Sequence, residues 1–240
     1  MKQHDHSQDE IDEFCRFPSH TDEDSSKPYR MADITWRIFR IMAEFVEGFQ
    51  FLSTTRREVS VFGSARMPDT EHWYQETVRL TKMLGEAGFT VITGGGPGIM
   101  EAANKGAYEV GAPSLGLNIM LPSEQRVNAY VTNSKSFHYF FTRKVMLTAS
   151  GQAYVFCPGG FGTMDELFEI ITLIQTGKMQ PVPVVCLGHE YWDGLVDWIK
   201  ETMRDQMQTI SPDDVNLFHV VDTAEEAFEL IKDSKERSFF

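Results

Sequence analysis

Short runs rich in β-branched and aromatic residues punctuate this chain, and amphipathic stretches separate them. The runs are 59-VSVFG-63, 89-FTVIT-93, 114-SLGLNI-119, 152-QAYVFC-157, 182-VPVVCL-187 and 218-FHVVD-222. Helical periodicity falls between and after them, at 70–87, 98–110, 138–150, 163–176, 191–207 and 223–232. A strand that is apolar on both faces must be covered on both faces. Such strands alternating with amphipathic helices predict an α/β fold, a doubly wound parallel sheet with helices on both faces. In a sheet of this kind ligands bind beyond the carboxyl ends of the strands, where the strand order reverses.

An N-terminal helix is expected ahead of the sheet, within 31–55. In 33-DITWRIFRIMAEFVEGFQFL-52, Ile34, Ile38, Ile41 and Phe45 form one helical stripe, and Phe39, Met42, Val46 and Phe49 form another beside it. An apolar surface this wide calls for burial on more than one side, against its own domain or also against a second copy of the chain. Residues 1–30 are polar and acidic and read as a disordered tail. Residues 56–235 then make the sheet domain. With 42% hydrophobic residues and no apolar run near ~18 residues, the chain reads as soluble and globular. The start MKQHDHSQDE has no apolar core suited to a signal peptide, and Cys157 and Cys186 sit in apolar runs as expected of buried thiols. A cytoplasmic location follows. The net charge of -13 argues against nucleic acid and anionic membrane as partners. It leaves room for a small phosphate ligand, because local N–H groups and arginines decide what a cleft binds.

Two glycine-rich loops carry the chemistry. The run 89-FTVIT-93 leads into 94-GGGPG-98, and 152-QAYVFC-157 leads into 158-PGGFGT-163; each then enters a helix. Glycines let the backbone approach an anion, and the free N–H groups of a helix start point at it. Gly94, Gly95, Gly96 and Gly98, with Pro158, Gly159, Gly160 and Gly162, are therefore candidate phosphate contacts on neighbouring strand ends. The hydroxyls of Thr93 and Thr163 suit phosphate or capping. Neither loop is a Walker loop, since Ile99-Met100 and Thr163-Met164 stand where Lys-Ser/Thr is needed. The dinucleotide spacing also fails, at Ile99. Glu166 has two readings. Thr163 and Glu166 match a capping box, and an acid near a helix start is favoured by the macrodipole. The same carboxylate is also placed to act on a ligand held by the loop.

The order GGGPGIMEAANKGA, then an Arg-Lys helix in 140-FFTRKVML-147, then PGGFGTMDE, resembles the LOG family of cytokinin riboside 5′-monophosphate phosphoribohydrolases, long labelled lysine decarboxylases, and the related bacterial nucleotide 5′-monophosphate nucleosidases. The resemblance spans about Val59 to Ile199. It implies a Rossmann-like fold, a homodimer or an assembly of dimers, and hydrolysis of a nucleoside monophosphate to free base and ribose 5-phosphate. It implies Arg143 and Glu166 as the catalytic pair, and a nucleotide contact at Gly63 and Ser64, where the first strand ends. Cleavage at C1′ passes through an oxocarbenium-like state that favours a nearby carboxylate. Glu166 can supply that charge, hold the ribose hydroxyls or activate water. Arg143 can fix the phosphate or hold Glu166 ionised. Arg126, in 121-LPSEQRVNAY-130, belongs to a loop able to close over the site. Glu101 and Asn118 have either site roles or ordinary roles at a helix start and a strand end.

Phe141 stands where plant-type members carry His before the Arg-Lys pair, and 98-GIME-101 stands where many carry G-L-M-G. These departures favour a general nucleoside monophosphate nucleosidase over a dedicated hormone enzyme. No cofactor or metal is implied, and the histidines, including His72, His138, His189 and His219, form no ligand spacing. A decarboxylase would need a pyridoxal phosphate lysine, and neither Lys105 nor Lys144 sits in a motif for one. The serious rival is a nucleotide or molybdenum-cofactor-type carrier that binds without cleaving, since a fold alone does not fix function.

Overall fold

The computed structural model describes residues 31–120 and 127–235. The tail expected at 1–30 lies outside them. Among the described residues there is one sheet of seven strands: β1 (Glu58–Phe62), β2 (Thr90–Thr93), β3 (Ser114–Ile119), β4 (Asn133–Phe137), β5 (Ala153–Phe156), β6 (Val184–Leu187) and β7 (His219–Val221). The order across the sheet is β4-β3-β2-β1-β5-β6-β7, and every pairing is parallel. The chain winds outward from β1 to β4, returns to β5 beside β1, and winds outward the other way. The strand order therefore reverses between β1 and β5. This is the doubly wound, Rossmann-like fold the strand pattern called for.

Helices α2 (His72–Glu86), α3 (Ile99–Glu109) and α7 (Ala224–Ile231) cover one face. Helices α4 (Phe140–Ser150), α5 (Phe161–Gln175) and α6 (His189–Trp198) cover the other. Alternate residues of each central strand supply the two cores. Val59 and Val61 of β1 and Val155 of β5 join the first, while Phe62 and Phe156 join the second and stack with ring centroids 5.0 Å apart. Cys157 and Cys186 are buried free thiols. Burial raises the Cys157 thiol to about 12, which removes it from nucleophilic chemistry.

Strand β4 was not legible as a strand, because NSKSF has no apolar run. It pairs only with β3, and only Phe137 is buried. A one-sided edge strand can be polar. The N-terminal helix α1 (Met31–Leu52) forms as expected but buries little of its apolar surface. Glu44 and Gly48 are its buried positions, whereas Ile34, Ile38, Phe39, Met42, Val46 and Phe49 are exposed. No helix of the described residues is long and apolar enough to cross a membrane.

Helices α2 and α3 cross closely at Gly106. A Cβ there would lie 2.2 Å from Thr81 Oγ1 and 2.3 Å from the Val78 carbonyl. In an open helix Gly→Ala gains roughly 1 kcal/mol. Here the sign reverses, because backbone must move. Gly106→Ala is expected to cost about 2 kcal/mol or more, read as a lower urea midpoint with an unchanged slope; a raised midpoint would show that the crossing has slack.

Candidate active site

The loops after β1, β2 and β5 meet at the switch point, and the backbone of one residue joins them. Ser64 N–H donates to the Pro158 carbonyl at 3.0 Å, and the Ser64 carbonyl accepts from Ile99 N–H at 3.0 Å. Gly98 makes the second contact possible. Its φ is +68°, and a Cβ on it would come within 2.3 Å of the Ser64 carbonyl oxygen. Only glycine fits both demands. The glycine loops thus stand on either side of β1, not on adjacent strands as expected.

These loops and α4 enclose a cleft of about 1110 Å³. Gly63, Ser64, Gly94, Arg143, Pro158, Gly159, Gly160, Gly162, Thr163 and Glu166 line it, as the sequence led one to expect. Ala65, Arg66, Met67, Met100, Phe140, Phe141, Lys144, Phe161, Asp165 and Tyr191 join them. Phe141, and the run 98-GIME-101 that holds Met100, stood out in the sequence as departures from the family's motifs; the other apolar members carried no signal, since a Met or Phe reads equally well as core. Tyr191 on α6 donates to the Gly159 carbonyl and pins the loop from outside.

Helix α5 begins three residues earlier than the Thr163 capping reading requires. Gly160 is its N-cap and makes no side-chain cap bond. Thr163 and Met164 N–H both donate to the Gly160 carbonyl, at 3.0 and 3.1 Å. No Thr163–Glu166 capping box forms. The N–H groups of Gly160, Phe161 and Gly162 donate to no acceptor among the described residues. A Cβ on Gly160 or Gly162 would meet nothing within 4 Å, so open space lies in front of this helix start. Free N–H groups at the positive end of a helix form an anion site.

Glu166 comes nearly two turns into α5 and is buried, at 6% exposure. One of its oxygens, Oε2, has no hydrogen-bond partner. Burial raises its pKa to about 7, with Lys144 and Arg143 lowering it and Glu169 and Asp165 raising it. Arg143, in the first turn of α4, is half-buried, and its Nε also lacks a partner. Burial lowers its pKa, and the Glu166 carboxylate opposes that. Its guanidinium lies 5.3 Å from the Phe140 ring centroid. Lys144 bridges α4 to α5 by ion pairs of 2.5 Å to Asp165 and 3.1 Å to Glu169. Burial pulls its pKa down, but these carboxylates outweigh it and leave the ammonium firmly charged. Polar groups buried without partners are rare, and two beside one cleft make it the candidate site.

Other expected residues are placed elsewhere. Thr93 is fully buried, donating to Asn104 Oδ1 at 2.7 Å and accepting from Gly95 N–H at 2.9 Å, so its hydroxyl is consumed. Gly95 and Gly96 lie beneath Asn128, whose N–H donates to the Gly95 carbonyl and whose amide donates to that of Gly96. Gly98 serves the contact with Ser64. Asn118 packs behind Gly95, outside the cleft. Glu101 accepts from the Tyr74 hydroxyl at 3.2 Å and does not line the cleft, unlike its neighbour Met100. Only Gly94 of the first glycine loop therefore reaches the cleft; the rest of that loop is structural. Arg126 lies outside the described residues. No group of three or more His, Cys, Asp or Glu among the described residues is placed to hold a metal ion.

A family model described as "Possible lysine decarboxylase" matches residues 100–231, just over half of the 240-residue chain. The chain belongs to this family. It is the LOG family that the glycine motifs resemble. A probable cytokinin riboside 5′-monophosphate phosphoribohydrolase of Oryza sativa subsp. japonica is 25% identical over 191 residues, covering 78% of this chain and 75% of that protein. A cytokinin riboside 5′-monophosphate phosphoribohydrolase of Arabidopsis thaliana is 26% identical over 180 residues, covering 73% and 81%. Among solved structures, the molybdenum cofactor carrier protein of Chlamydomonas reinhardtii superposes with a TM-score of 0.54 at 22% identity, covering 74% of this chain and 96% of that one. At that identity the likeness is one of fold. The family's decarboxylase description does not fit the lysines here. Lys144 is held by two carboxylates, and Lys105 lies between the Tyr74 and Tyr130 rings, outside the cleft.

The raised pKa of Glu166 has a consequence for stability. The folded state binds its proton more tightly than the unfolded chain does. That contribution is complete below about 4.5 and lost as pH rises through about 7. Gln mimics the protonated form at every pH. Glu166→Gln is therefore expected to be more stable than the parent at pH 8, by up to roughly 3 kcal/mol, with the difference vanishing below pH ~4.5. Thermal unfolding across pH checks this, and a variant less stable at pH 8 would contradict it.

Proposed function

We propose that this chain hydrolyses the N-glycosidic bond of nucleoside 5′-monophosphates, releasing free base and ribose 5-phosphate. The observation that carries the reading is the buried Glu166 carboxylate, with one unpartnered oxygen, in the same cleft as the free N–H groups at the start of its own helix. Glu166 is six residues beyond the Gly160 cap, about 9 Å along the axis. Helical side chains lean toward the N-terminus, so the carboxylate reaches back toward the anion site. A phosphate on the Gly160–Gly162 N–H groups then sets the ribose of the same nucleotide before Glu166. Family membership and the names of the rice and Arabidopsis relatives support this chemistry.

In the reaction the bond from C1′ to the base nitrogen breaks and its electron pair leaves with the base. Positive charge develops at C1′, where the Glu166 carboxylate opposes it. Water adds to C1′, and Glu166 takes its proton. A carboxylate of pKa about 7 is well matched to that task near neutral pH. The departing base recovers a proton from solvent, and Glu166 returns the one it took, so that the carboxylate is regenerated. Arg143 donates from Nε to the phosphate or a ribose hydroxyl, an acceptor the protein itself does not provide. The step uses groups of the chain and water alone.

The apolar lining of the cleft includes Phe140, Phe141, Phe161, Met67 and Met100, and we assign the base to it. Flat apolar walls accept any base face and discriminate little. This favours a broad nucleoside monophosphate range over a cytokinin nucleotide alone.

Incubation with AMP, GMP, CMP, UMP and isopentenyl-adenosine monophosphate, with products separated by chromatography, tests the reading. Base and ribose 5-phosphate are expected from several of them, with loss of about 100-fold or more in Glu166→Gln. Binding without release from any nucleotide would replace the enzyme with a carrier. Strong preference for the isopentenyl substrate would restore the hormone-specific reading. The kcat/KM of the wild type is expected to rise with pH and level off above about 7, because the ionised form acts. A fall above pH 7 would instead make Glu166 a proton donor.

A further inference from the structure

We infer that Glu44, on the N-terminal helix and outside the family match, is a positioning residue that holds Arg143 in the cleft by capping the helix that carries it. The inference rests on the proposed hydrolysis for its activity readout, and on geometry for everything else. Helix α4 begins at Phe140 after an N-cap, Tyr139, that makes no side-chain cap bond. The cap comes from α1 instead. Glu44 Oε1 accepts from His138 N–H at 2.7 Å, and Glu44 Oε2 accepts from Tyr139 N–H at 3.3 Å and from the Thr142 hydroxyl at 2.5 Å. Glu44 is 8% exposed and Thr142 is fully buried. Both oxygens of a buried carboxylate are thus spent on the two residues that lead into another helix and on a hydroxyl of its first turn, where the macrodipole also favours a negative charge.

Arg143 directly follows Thr142. Its own backbone hold on that turn is a long bond, 3.3 Å from Arg143 N–H to the Tyr139 carbonyl. The guanidinium is not anchored through Nε either. The start of α4 is thus held from α1 as well as by its own bonds, among them Thr142 hydroxyl to the Tyr139 carbonyl at 2.8 Å, and the arginine takes its place from that turn. On the same helix, Glu47 offers a contrast. It pairs with Lys135 of β4 while 55% exposed, the kind of surface pair worth little.

Three single variants and one double variant test this. Glu44→Ala removes the cap, Glu44→Gln keeps the shape and one acceptor but not the charge, and Glu47→Gln loosens α1 without touching α4. Glu44→Ala is expected to lose between about 10- and 100-fold in kcat/KM, Glu44→Gln less, and Glu47→Gln nothing measurable. In an Arg143→Ala background, Glu44→Ala should cost almost nothing further, since its effect runs through the arginine. Equal losses in both backgrounds, a loss in Glu47→Gln matching that of Glu44→Gln, or full activity in Glu44→Ala would each overturn the inference. If Glu44→Ala does not fold, Glu44→Gln carries the same cycle. If the wild type releases no base at all, the proposed function fails separately. Ribose 5-phosphate affinity then reads the same cycle: loss of affinity in the Glu44 variants that vanishes without Arg143 supports the inference, and unchanged affinity overturns it.

Discussion

The backbone of a single residue, Ser64, holds the site together. The N–H of Ser64 goes to the loop after β5 and its carbonyl to the start of α3, so one residue joins the loops on both sides of β1. The doubly wound order makes this possible by setting β1 between β2 and β5. Gly98 lets the backbones approach, and Asn104 fixes the neighbouring loop from beneath through Thr93, Ser114 and Asn128. Much of the conspicuous glycine run after β2 is therefore scaffold. It shapes one wall so that the loop after β5 can leave its own N–H groups free.

The two signs of charge at the start of α5 then have separate tasks. The helix start offers unpaired N–H groups to an anion, and Glu166 offers a carboxylate further along the same helix. Lys144 keeps that arrangement selective. It neutralises Asp165 and Glu169, the acids on either side of Glu166 on the helix, and leaves Glu166 itself without a direct partner. Desolvation does the rest by bringing the carboxyl into the neutral range. A group held this way is costly to stability and useful to chemistry, as is common at active sites.

The strands and helices of the sheet were readable because burial on both faces leaves uninterrupted apolar runs, and helices leave a 3.6-residue period. NSKSF escaped because an edge strand needs neither. The cleft was readable through glycines and charges, which have few structural excuses at strand ends. Most of its aromatic wall was not, since Phe140 and Phe161 look like core until the fold leaves them exposed; Phe141 stood out only through its place in the Arg-Lys motif. The Thr163 capping box was misleading because Gly160, three residues earlier in the motif, is the N-cap. Glu44 gave no signal either. An acid amid an apolar helix reads as solvent-facing, and its partners lie 94 to 98 positions away in the chain.

The central claim is that one nucleotide spans the α5 start and Glu166, phosphate at the first and sugar at the second. The most direct measurement is a crystal structure of the Glu166→Gln variant with a bound nucleoside monophosphate. The account predicts phosphate oxygens on the N–H groups of Gly160, Phe161 and Gly162, C1′ facing residue 166, and the base against Phe140, Phe141 or Phe161. A phosphate seated on the 94–98 loop instead, or a ribose turned away from residue 166, would contradict it.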